Sequence, residues 1–255
     1  MLALERRNQI YEKLQRDKKV VVGELSQFYN VTEETIRRDL EKLEKEGLVI
    51  KSYGGAILNE NTNIDLPYNI RKKHNVSGKQ KIAKLVESLV HSGDCIMLDA
   101  SSTSVFIARA LKKKDTLTVV TNSVEVMIEL ADKESWNVIS TGGRIKNGGL
   151  AMEGAKAVES IREYHVEKVI ISAKAFDICN GFTDSSEETV GIKHAMLQSG
   201  RERIVAIDSS NFEKTAFCKI ADLQEIDYIV TDKKPDEKIL QFIGQENVKI
   251  LYPEE

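Results

Sequence analysis

Small polar residues cluster at four places in the sequence, each after a short apolar run. They are Asp99-Ala100-Ser101-Ser102-Thr103, Thr121-Asn122-Ser123, Thr141-Gly142-Gly143-Arg144 and Asp208-Ser209-Ser210-Asn211. Free backbone N–H groups at a helix start, with hydroxyls beside them, bind phosphate well, and Ser101-Ser102-Thr103 has that character. Because Ser, Thr and Asn before a helix are more often ordinary N-caps, the four segments together, not any one alone, indicate a small polar ligand.

Carboxylates and lysines form a second group near the remaining apolar runs. They are Lys174, Asp177, Asp184, Glu187, Glu188, Lys193 and Lys214. Beside a phosphate site such groups could move protons on a sugar phosphate, so a sugar-phosphate isomerase is one alternative, and ordinary surface charges are another. The four histidines lack HxH or HExxH spacing, and the three cysteines are far apart. The sequence therefore predicts neither a metal site nor a cofactor.

A third set of polar residues falls on a short helix near the N-terminus. Ile36, Leu40 and Leu43 lie at i, i+4 and i+7, which predicts a buried stripe on a helix from Thr32 to Glu46. Thr32 is expected to cap this helix, and Gly47 to end it. Its first turns carry Thr32, Glu33, Thr35, Arg37 and Arg38. A helix that presents such residues at its N-terminal turns fits the major groove of DNA.

The surrounding elements complete a winged helix-turn-helix. A first amphipathic helix and a short helix over Gly23–Tyr29 precede the helix from Thr32, and a hairpin around Tyr53-Gly54-Gly55 follows it. Lys51 and Tyr53 in that wing are predicted to reach phosphates or the minor groove. The first 60 residues contain eleven Lys and Arg against eleven Asp and Glu. Affinity for DNA must then come from charge segregation and from several copies, so a homodimer or homotetramer is expected, with a protein-binding module as the alternative.

Strands alternate with helices from Lys79 onward. The predicted strands are Cys95–Leu98, Leu117–Val120, Val138–Ser140, Val169–Ile171, Ile204–Ile207, Tyr228–Val230 and Val248–Leu251. This order predicts an α/β domain whose mainly parallel sheet is covered by helices on both sides. Ligands bind such sheets beyond the carboxyl ends of the strands, where the polar segments lie. The Asn-rich stretch that ends at Pro67 predicts a linker or hinge over 59–74, between domains 1–58 and 75–255.

Composition sets limits on the function. The chain has 255 residues, 41% hydrophobic and 30% charged, with a formal charge of -3. These values exclude disorder and a uniformly basic surface. No apolar run approaches the ~20 residues of a membrane helix, and the charged N-terminus is unlike a signal peptide. A cytoplasmic protein without membrane contact is expected.

The N-terminal motifs closely resemble those of the DeoR family of bacterial transcriptional regulators. The resemblance rests on Val22-Gly23-Glu24-Leu25-Ser26, Thr35-Ile36-Arg37-Arg38-Asp39-Leu40, Gly47-Leu48 and Tyr53-Gly54-Gly55-Ala56. It implies that Val20–Asp39 is the helix-turn-helix proper. The DNA-binding residues it supports are Ser26, Thr32, Thr35, Arg37, Arg38, Lys51 and Tyr53.

The second half contains Leu98-Asp99-Ala100, Val120-Thr121-Asn122-Ser123, Gly142-Gly143-Arg144 and Ile229-Val230-Thr231-Asp232. In these strings it resembles the effector domain of the same family, which is related in fold to ribose-5-phosphate isomerases and has lost catalysis. The resemblance implies a sugar or sugar-phosphate effector and a double-stranded DNA operator, and hence a repressor of a carbohydrate-utilisation operon, not an enzyme. The implied effector-binding residues are Asp99, Ser101, Ser102, Thr103, Asn122, Gly142, Gly143, Arg144, Asp177, Glu188, Lys193, Asp208 and Lys214. The family usually has Gly-Thr-Thr where this chain has Ser101-Ser102-Thr103.

Overall fold

The chain forms two compact units, Met1–Pro67 and Tyr68–Glu255. The computed structural model describes residues 1–59, 61, 66–146 and 148–254, with only the backbone of residue 15. Residues 60 and 62–65 of the predicted linker lie outside these described residues. Each unit has its own buried apolar residues.

The N-terminal unit is a three-helix bundle with a small sheet. Its elements are α1 (Ala3–Asp17), β1 (Lys19–Val21), α2 (Val22–Tyr29), α3 (Glu33–Lys45), β2 (Val49–Ser52) and β3 (Gly55–Leu58). Positive φ angles at Lys18, Asn30 and Gly47 end the three helices in turn. The predicted hairpin is present as β2 and β3, and the short β1 joins it in the antiparallel order β1-β3-β2. The structure thus has the predicted winged helix-turn-helix.

The C-terminal unit is built on a seven-stranded parallel sheet of order β15-β14-β12-β9-β4-β5-β6. Its strands are β4 (Cys95–Leu98), β5 (Thr118–Thr121), β6 (Asn137–Ser140), β9 (Val166–Ser172), β12 (Gly200–Ala206), β14 (Tyr228–Val230) and β15 (Lys249–Leu251). Its helices are α4 (Tyr68–Lys73), α5 (Val76–Leu89), α6 (Ser102–Leu111), α7 (Val124–Leu130), α8 (Ala155–Arg162), α9 (Glu187–Ser199) and α10 (Glu237–Gln245). The predicted parallel α/β sheet is confirmed.

Helices cover both faces of this sheet because successive strand residues alternate between two hydrophobic cores. Met97 of β4 packs into one core with side chains of α8, α9 and α10. Its neighbours Ile96 and Leu98 pack into the other, with side chains of α5, α6 and α7. Among the described residues, no helix has the length and apolar character needed to cross a membrane.

Several elements were not predicted. A hairpin of β7 (Arg144–Ile145) and β8 (Met152–Glu153) follows β6. A small antiparallel sheet consists of β10 (Ala175–Asp177), β11 (Gly181–Asp184) and β13 (Cys218–Ala221). These strands are two to four residues long, and β13 pairs with a strand more than 30 residues earlier. Pattern within a short window cannot reveal such pairing.

The C-terminal unit begins earlier than the predicted residue 75. Residues 68–73, which fall within the predicted linker or hinge over 59–74, form helix α4. Tyr68 at its start is 3% exposed and belongs to the core shared with α5 and α6. The basic side chains mark the solvent side of a short helix whose first residue is anchored in the core.

Candidate functional site

Helix α3 is positioned by its cap and by its apolar stripe. The Thr32 hydroxyl accepts a hydrogen bond from the Thr35 N–H (3.3 Å), as expected for an N-cap. Ile36, Leu40 and Leu43 are buried against the rest of the unit. The opposite face of the helix is therefore left exposed.

The two arginines predicted to contact DNA lie on this exposed face. Arg37 is hydrogen-bonded through Nη2 to Oε2 of Glu33 (2.6 Å), and Arg38 through Nε to Oε1 of Glu34 (3.1 Å). All four side chains are more than half exposed. Exposed i, i+4 pairs of this kind contribute little to stability, so both guanidinium groups can exchange their carboxylate partner for another acceptor.

The neighbouring Asp39 has the opposite environment. It is 3% exposed, and its carboxylate accepts a hydrogen bond from Nε of Arg6 in α1 (2.6 Å) and lies 3.6 Å from Nη1 of Arg7. The Arg37-Arg38-Asp39 string thus divides into two solvent-facing cations and one buried anion that ties α3 to α1.

The other predicted DNA-contacting residues differ in their availability. Tyr53, at the tip of the wing, is fully exposed. Lys51 lies 3.3 Å from Oε2 of Glu44 and 3.6 Å from Oε1 of Glu41, which ties the wing to α3. The Ser26 hydroxyl donates to the Val31 carbonyl (2.6 Å) and so stabilises the turn between α2 and α3.

In the C-terminal unit, the predicted polar segments meet at one edge of the sheet. Strands β12, β9, β4, β5 and β6 are consecutive neighbours and run parallel. Asp99, Asn122 and Thr141 directly follow β4, β5 and β6, and Asp208 closely follows β12. The four polar segments therefore lie at the carboxyl ends of neighbouring strands, which is where the sequence predicts them.

The start of α6 forms the centre of this edge. The Ser101 hydroxyl accepts from the Ser104 N–H (3.0 Å) and caps the helix. Ser102 and Thr103, its first two residues, are buried, and the first turn of a helix leaves backbone N–H groups without an intrahelical acceptor. In the part of the chain described here, the hydroxyls of Ser102 and Thr103 have no hydrogen-bond partner. Donors and a helix dipole therefore converge at this position.

Asn122 adds an unpaired acceptor. Its side-chain Nδ2 donates to the Met152 carbonyl (3.0 Å), and its backbone carbonyl accepts from the Met152 N–H (2.7 Å). Its Oδ1 is buried and has no partner within the described residues. An unpaired buried polar atom costs free energy, so Oδ1 indicates a position that a ligand donor would satisfy.

The Gly142-Gly143-Arg144 segment follows β6. Both glycines have positive φ angles, +62° and +112°, and a Cβ on Gly143 would lie only 2.8 Å from the Glu153 carbonyl oxygen. Only glycine fits there without displacing the backbone. Arg144 begins β7 with an exposed side chain. The pKa of Glu188 is lowered by hydrogen bonds from its own N–H and from Ser186, with smaller effects from Lys146 and Arg144.

Lys193 is the centre of a buried ionic cluster. Its Nζ donates to the Ser172 carbonyl and to Oδ2 of Asp184 (2.6 Å each), and lies 3.6 Å from Oδ2 of Asp99. Burial by itself would lower the pKa of Lys193, but the charges of Asp184 and Asp99 raise it overall. Burial would likewise raise the pKa of Asp184, yet Lys193 lowers it. Lys193 therefore stays charged with its hydrogen bonds in use.

A second polar cluster lies beyond β12 and β14 and was not predicted as a unit. Asn75 donates through Nδ2 to Oδ2 of Asp208 and to Oδ2 of Asp232 (3.2 Å), and Asp232 accepts from the Ser209 N–H (2.7 Å). Burial would raise the pKa of Asp208, but hydrogen bonds from Asn75 and Ser210 lower it. Asn75 is also the N-cap of α5, where its Oδ1 accepts from the Gly78 N–H (3.1 Å), and an Asn before a helix was its only sequence signal.

Two lysines flank this second cluster. Lys79 donates to the carbonyls of Arg71 and His74, and burial lowers its pKa to about 8. Burial also lowers the pKa of His74; Asp208 opposes this effect, and Lys79 and Lys214 add to it. Lys214, predicted as an effector-binding residue, acts here through the effect of its charge on His74.

The carboxylate of Asp177, predicted to bind the effector, instead accepts hydrogen bonds within a turn. Its Oδ1 accepts from the backbone N–H groups of Cys179 (2.9 Å) and Asn180 (3.1 Å), and from Nδ2 of Asn180 (3.0 Å). It stabilises the turn between β10 and β11. Over the described ranges, no three His, Cys, Asp or Glu side chains come together in a way that could hold a metal ion.

Comparison with known proteins matches both units to family models. Residues 6–62 match the DeoR-like helix-turn-helix domain, and residues 74–233 match the DeoR C terminal sensor domain. The uncharacterized HTH-type transcriptional regulator YulB of Bacillus subtilis is 39% identical over 98% of this chain and 96% of its own length.

Two further relatives have names that state a direction of regulation. The HTH-type transcriptional repressor GlcR of Bacillus subtilis is 32% identical over 98% of this chain and 96% of its own length. The L-fucose operon activator of Haemophilus influenzae is also 32% identical, over 90% of this chain and 92% of its own length.

Proposed function

The chain belongs to the DeoR family of transcriptional regulators, and we propose that it represses a carbohydrate-utilisation operon. Its winged helix binds operator DNA, and a sugar or sugar phosphate bound by the sensor domain changes that affinity. The L-fucose operon named for one relative supports the sugar class. A regulator that binds the bacterial chromosome works in the cytoplasm, the compartment we propose.

The exposed face of α3 carries the DNA-binding part of the proposal. Arg37 and Arg38 lie on the face opposite the buried stripe, and their pairs with Glu33 and Glu34 are solvent-exposed. Arginine makes the commonest specific contact in the major groove, a bidentate pair with guanine. Tyr53 and Lys51 on the wing are proposed to contact the DNA backbone.

An assembly of several copies is part of the same proposal. The balance of eleven cations and eleven anions in residues 1–60 gives one winged helix no net attraction to a phosphate backbone. Two or more linked copies raise the effective concentration of the second unit at its half-site. We therefore propose a homodimer or homotetramer on repeated half-sites.

The effector part of the proposal rests on two features together, the N-terminus of α6 and the side chain of Asn122. The helix start and the hydroxyls of Ser102 and Thr103 offer donors to an anionic group. The buried, unpaired Oδ1 of Asn122 offers an acceptor to a sugar hydroxyl. One ligand with both an anionic group and hydroxyls, a sugar phosphate, satisfies both.

Catalysis is not part of this proposal. Lys193, the buried lysine at the sheet edge, holds its proton in an ion pair and donates to Ser172 and Asp184. Such a lysine orders the edge but is a poor base. A turnover assay with ribose 5-phosphate tests the isomerase alternative, and isomer formation that Lys193→Met abolishes would support it.

The effector proposal is tested by thermal unfolding with a panel of sugar phosphates and the matching free sugars. A ligand at 100 times its Kd adds about 2.7 kcal/mol to the stability of the state that binds it. We expect one compound to raise the midpoint for wild type, and Asn122→Ala to abolish that rise. No stabilisation by any member of a broad panel would contradict a sugar-derived effector.

A further inference from the structure

The two carboxylates at the start of α3 have different surroundings, although the sequence makes them look equivalent. Each lies four residues before an arginine, and each is ion-paired with it. The pair of Glu33 with Arg37 is shorter, 2.6 Å against 3.1 Å, and less exposed than that of Glu34 with Arg38.

The other carboxylate oxygen of Glu33, Oε1, faces the first turn of α2. A Cβ built on Gly23, in the first turn of α2, would lie 3.8 Å from Oε1 of Glu33, while its Oε2 accepts from Arg37. The partial positive charge at a helix start favours a carboxylate there. Glu34, in the described part of the chain, has a hydrogen bond only with Arg38.

This arrangement has two consequences for Arg37. Only one of its five N–H groups is used by Glu33, so an edge with two parallel donors remains for a base. The charge of the Glu33 carboxylate beside it repels any phosphate that approaches the same guanidinium. Arg37 therefore gains less from a bare backbone than from a guanine edge, which is how repulsion produces specificity.

We propose that Glu33 is a specificity-determining residue of the recognition helix, which positions Arg37 for a base and keeps it from phosphate. The inference rests on the proposed DNA-binding function. The proposal predicts two effects of removing the negative charge of Glu33. Affinity for random DNA should rise, and the discrimination between the preferred sequence and other sequences should fall.

The test compares Glu33→Gln with its matched control Glu34→Gln in the full chain. Duplexes bound by wild type are selected from a randomised library, and Kd is then measured for the selected duplex, its single-base variants and a random 30-bp duplex. For Glu33→Gln we expect about tenfold lower discrimination at one base pair. The slope of log K against log salt for random DNA becomes steeper by about 0.9, equivalent to one more phosphate contact. In an Arg37→Ala background the same change leaves base preference unaltered.

The controls separate this inference from the function on which it rests. Glu34→Gln keeps the wild-type base preference, and unchanged thermal midpoints show that both variants fold. If both glutamine variants change base preference equally, or if Glu33→Gln keeps the wild-type profile, the inference is wrong and DNA binding stands. If wild type selects no sequence at all, the proposed function itself fails.

Discussion

Replacing Asp39 with Ala should strongly destabilise the winged helix, whereas the same change at Arg37 or Arg38 should have little effect on its stability. Asp39 is 3% exposed, and Arg6, its hydrogen-bonded partner at 2.6 Å, is 7% exposed. Removal of one partner from a buried pair leaves an uncompensated charge, at a cost of about 3–5 kcal/mol. A unit of 67 residues has a total stability of roughly 3–10 kcal/mol at ~0.05–0.15 kcal/mol per residue. The substitution therefore removes a large part of it.

The assay is native-state hydrogen exchange of the α3 amides in the full chain, which reports the free energy of opening for that helix. Asp39→Ala should lower this free energy by about 3–5 kcal/mol, whereas Arg37→Ala or Arg38→Ala should change it by less than about 1 kcal/mol. The double variant Arg6→Met with Asp39→Leu should lose less than Asp39→Ala because the buried guanidinium of Arg6 is removed together with its carboxylate partner. A loss below about 1 kcal/mol for Asp39→Ala would refute the account of a structural anion.

Three further predictions concern the linker, the effector edge and pH. Limited proteolysis should first cleave between Asn59 and Pro67; a first cut within Cys95–Thr121 would contradict separate units. Thr103→Val and Arg144→Ala should each keep operator affinity and abolish the effector's influence on it, measured by fluorescence anisotropy; a wild-type response in both would place the effector elsewhere. The pKa of Lys79 is about 8 in the folded chain against 10.5 ordinarily, so between these values the unfolded state binds more protons and stability rises with pH. Urea unfolding from pH 8 to 10 should show this rise in wild type but not in Lys79→Met, and equal slopes would refute the lowered pKa of Lys79.

The recognition helix could be predicted from the sequence because its determinants are local. The spacing of Ile36, Leu40 and Leu43 fixes which face is buried, and Thr32 caps a helix whose first turn lies beside it. The role of Asp39 could not be predicted in the same way. Its partner Arg6 lies 33 residues away, and only the packing of α1 on α3 brings them together.

The parallel sheet was predictable for a similar reason, since strands such as β4 and β5 are short apolar runs followed by polar loops. The details of its edge were not. Lys193 is joined to Ser172 and Asp184 from separate elements, and Asn75 reaches Asp208 across 133 residues of sequence. The unpaired Oδ1 of Asn122 is likewise a property of the folded edge, with no counterpart in the residue order.

The central claim is that the chain binds specific DNA through α3 and that a sugar-derived ligand changes this binding. The most direct measurement is fluorescence anisotropy of the full chain with its library-selected duplex, against salt and against a panel of sugar phosphates, for wild type and for Arg37→Ala with Arg38→Ala. The account predicts steeply salt-dependent, sequence-specific binding that the double variant loses, and a change of at least fivefold in Kd with one ligand. Equal affinity of wild type and double variant for the selected duplex, or no response to any ligand, would contradict it.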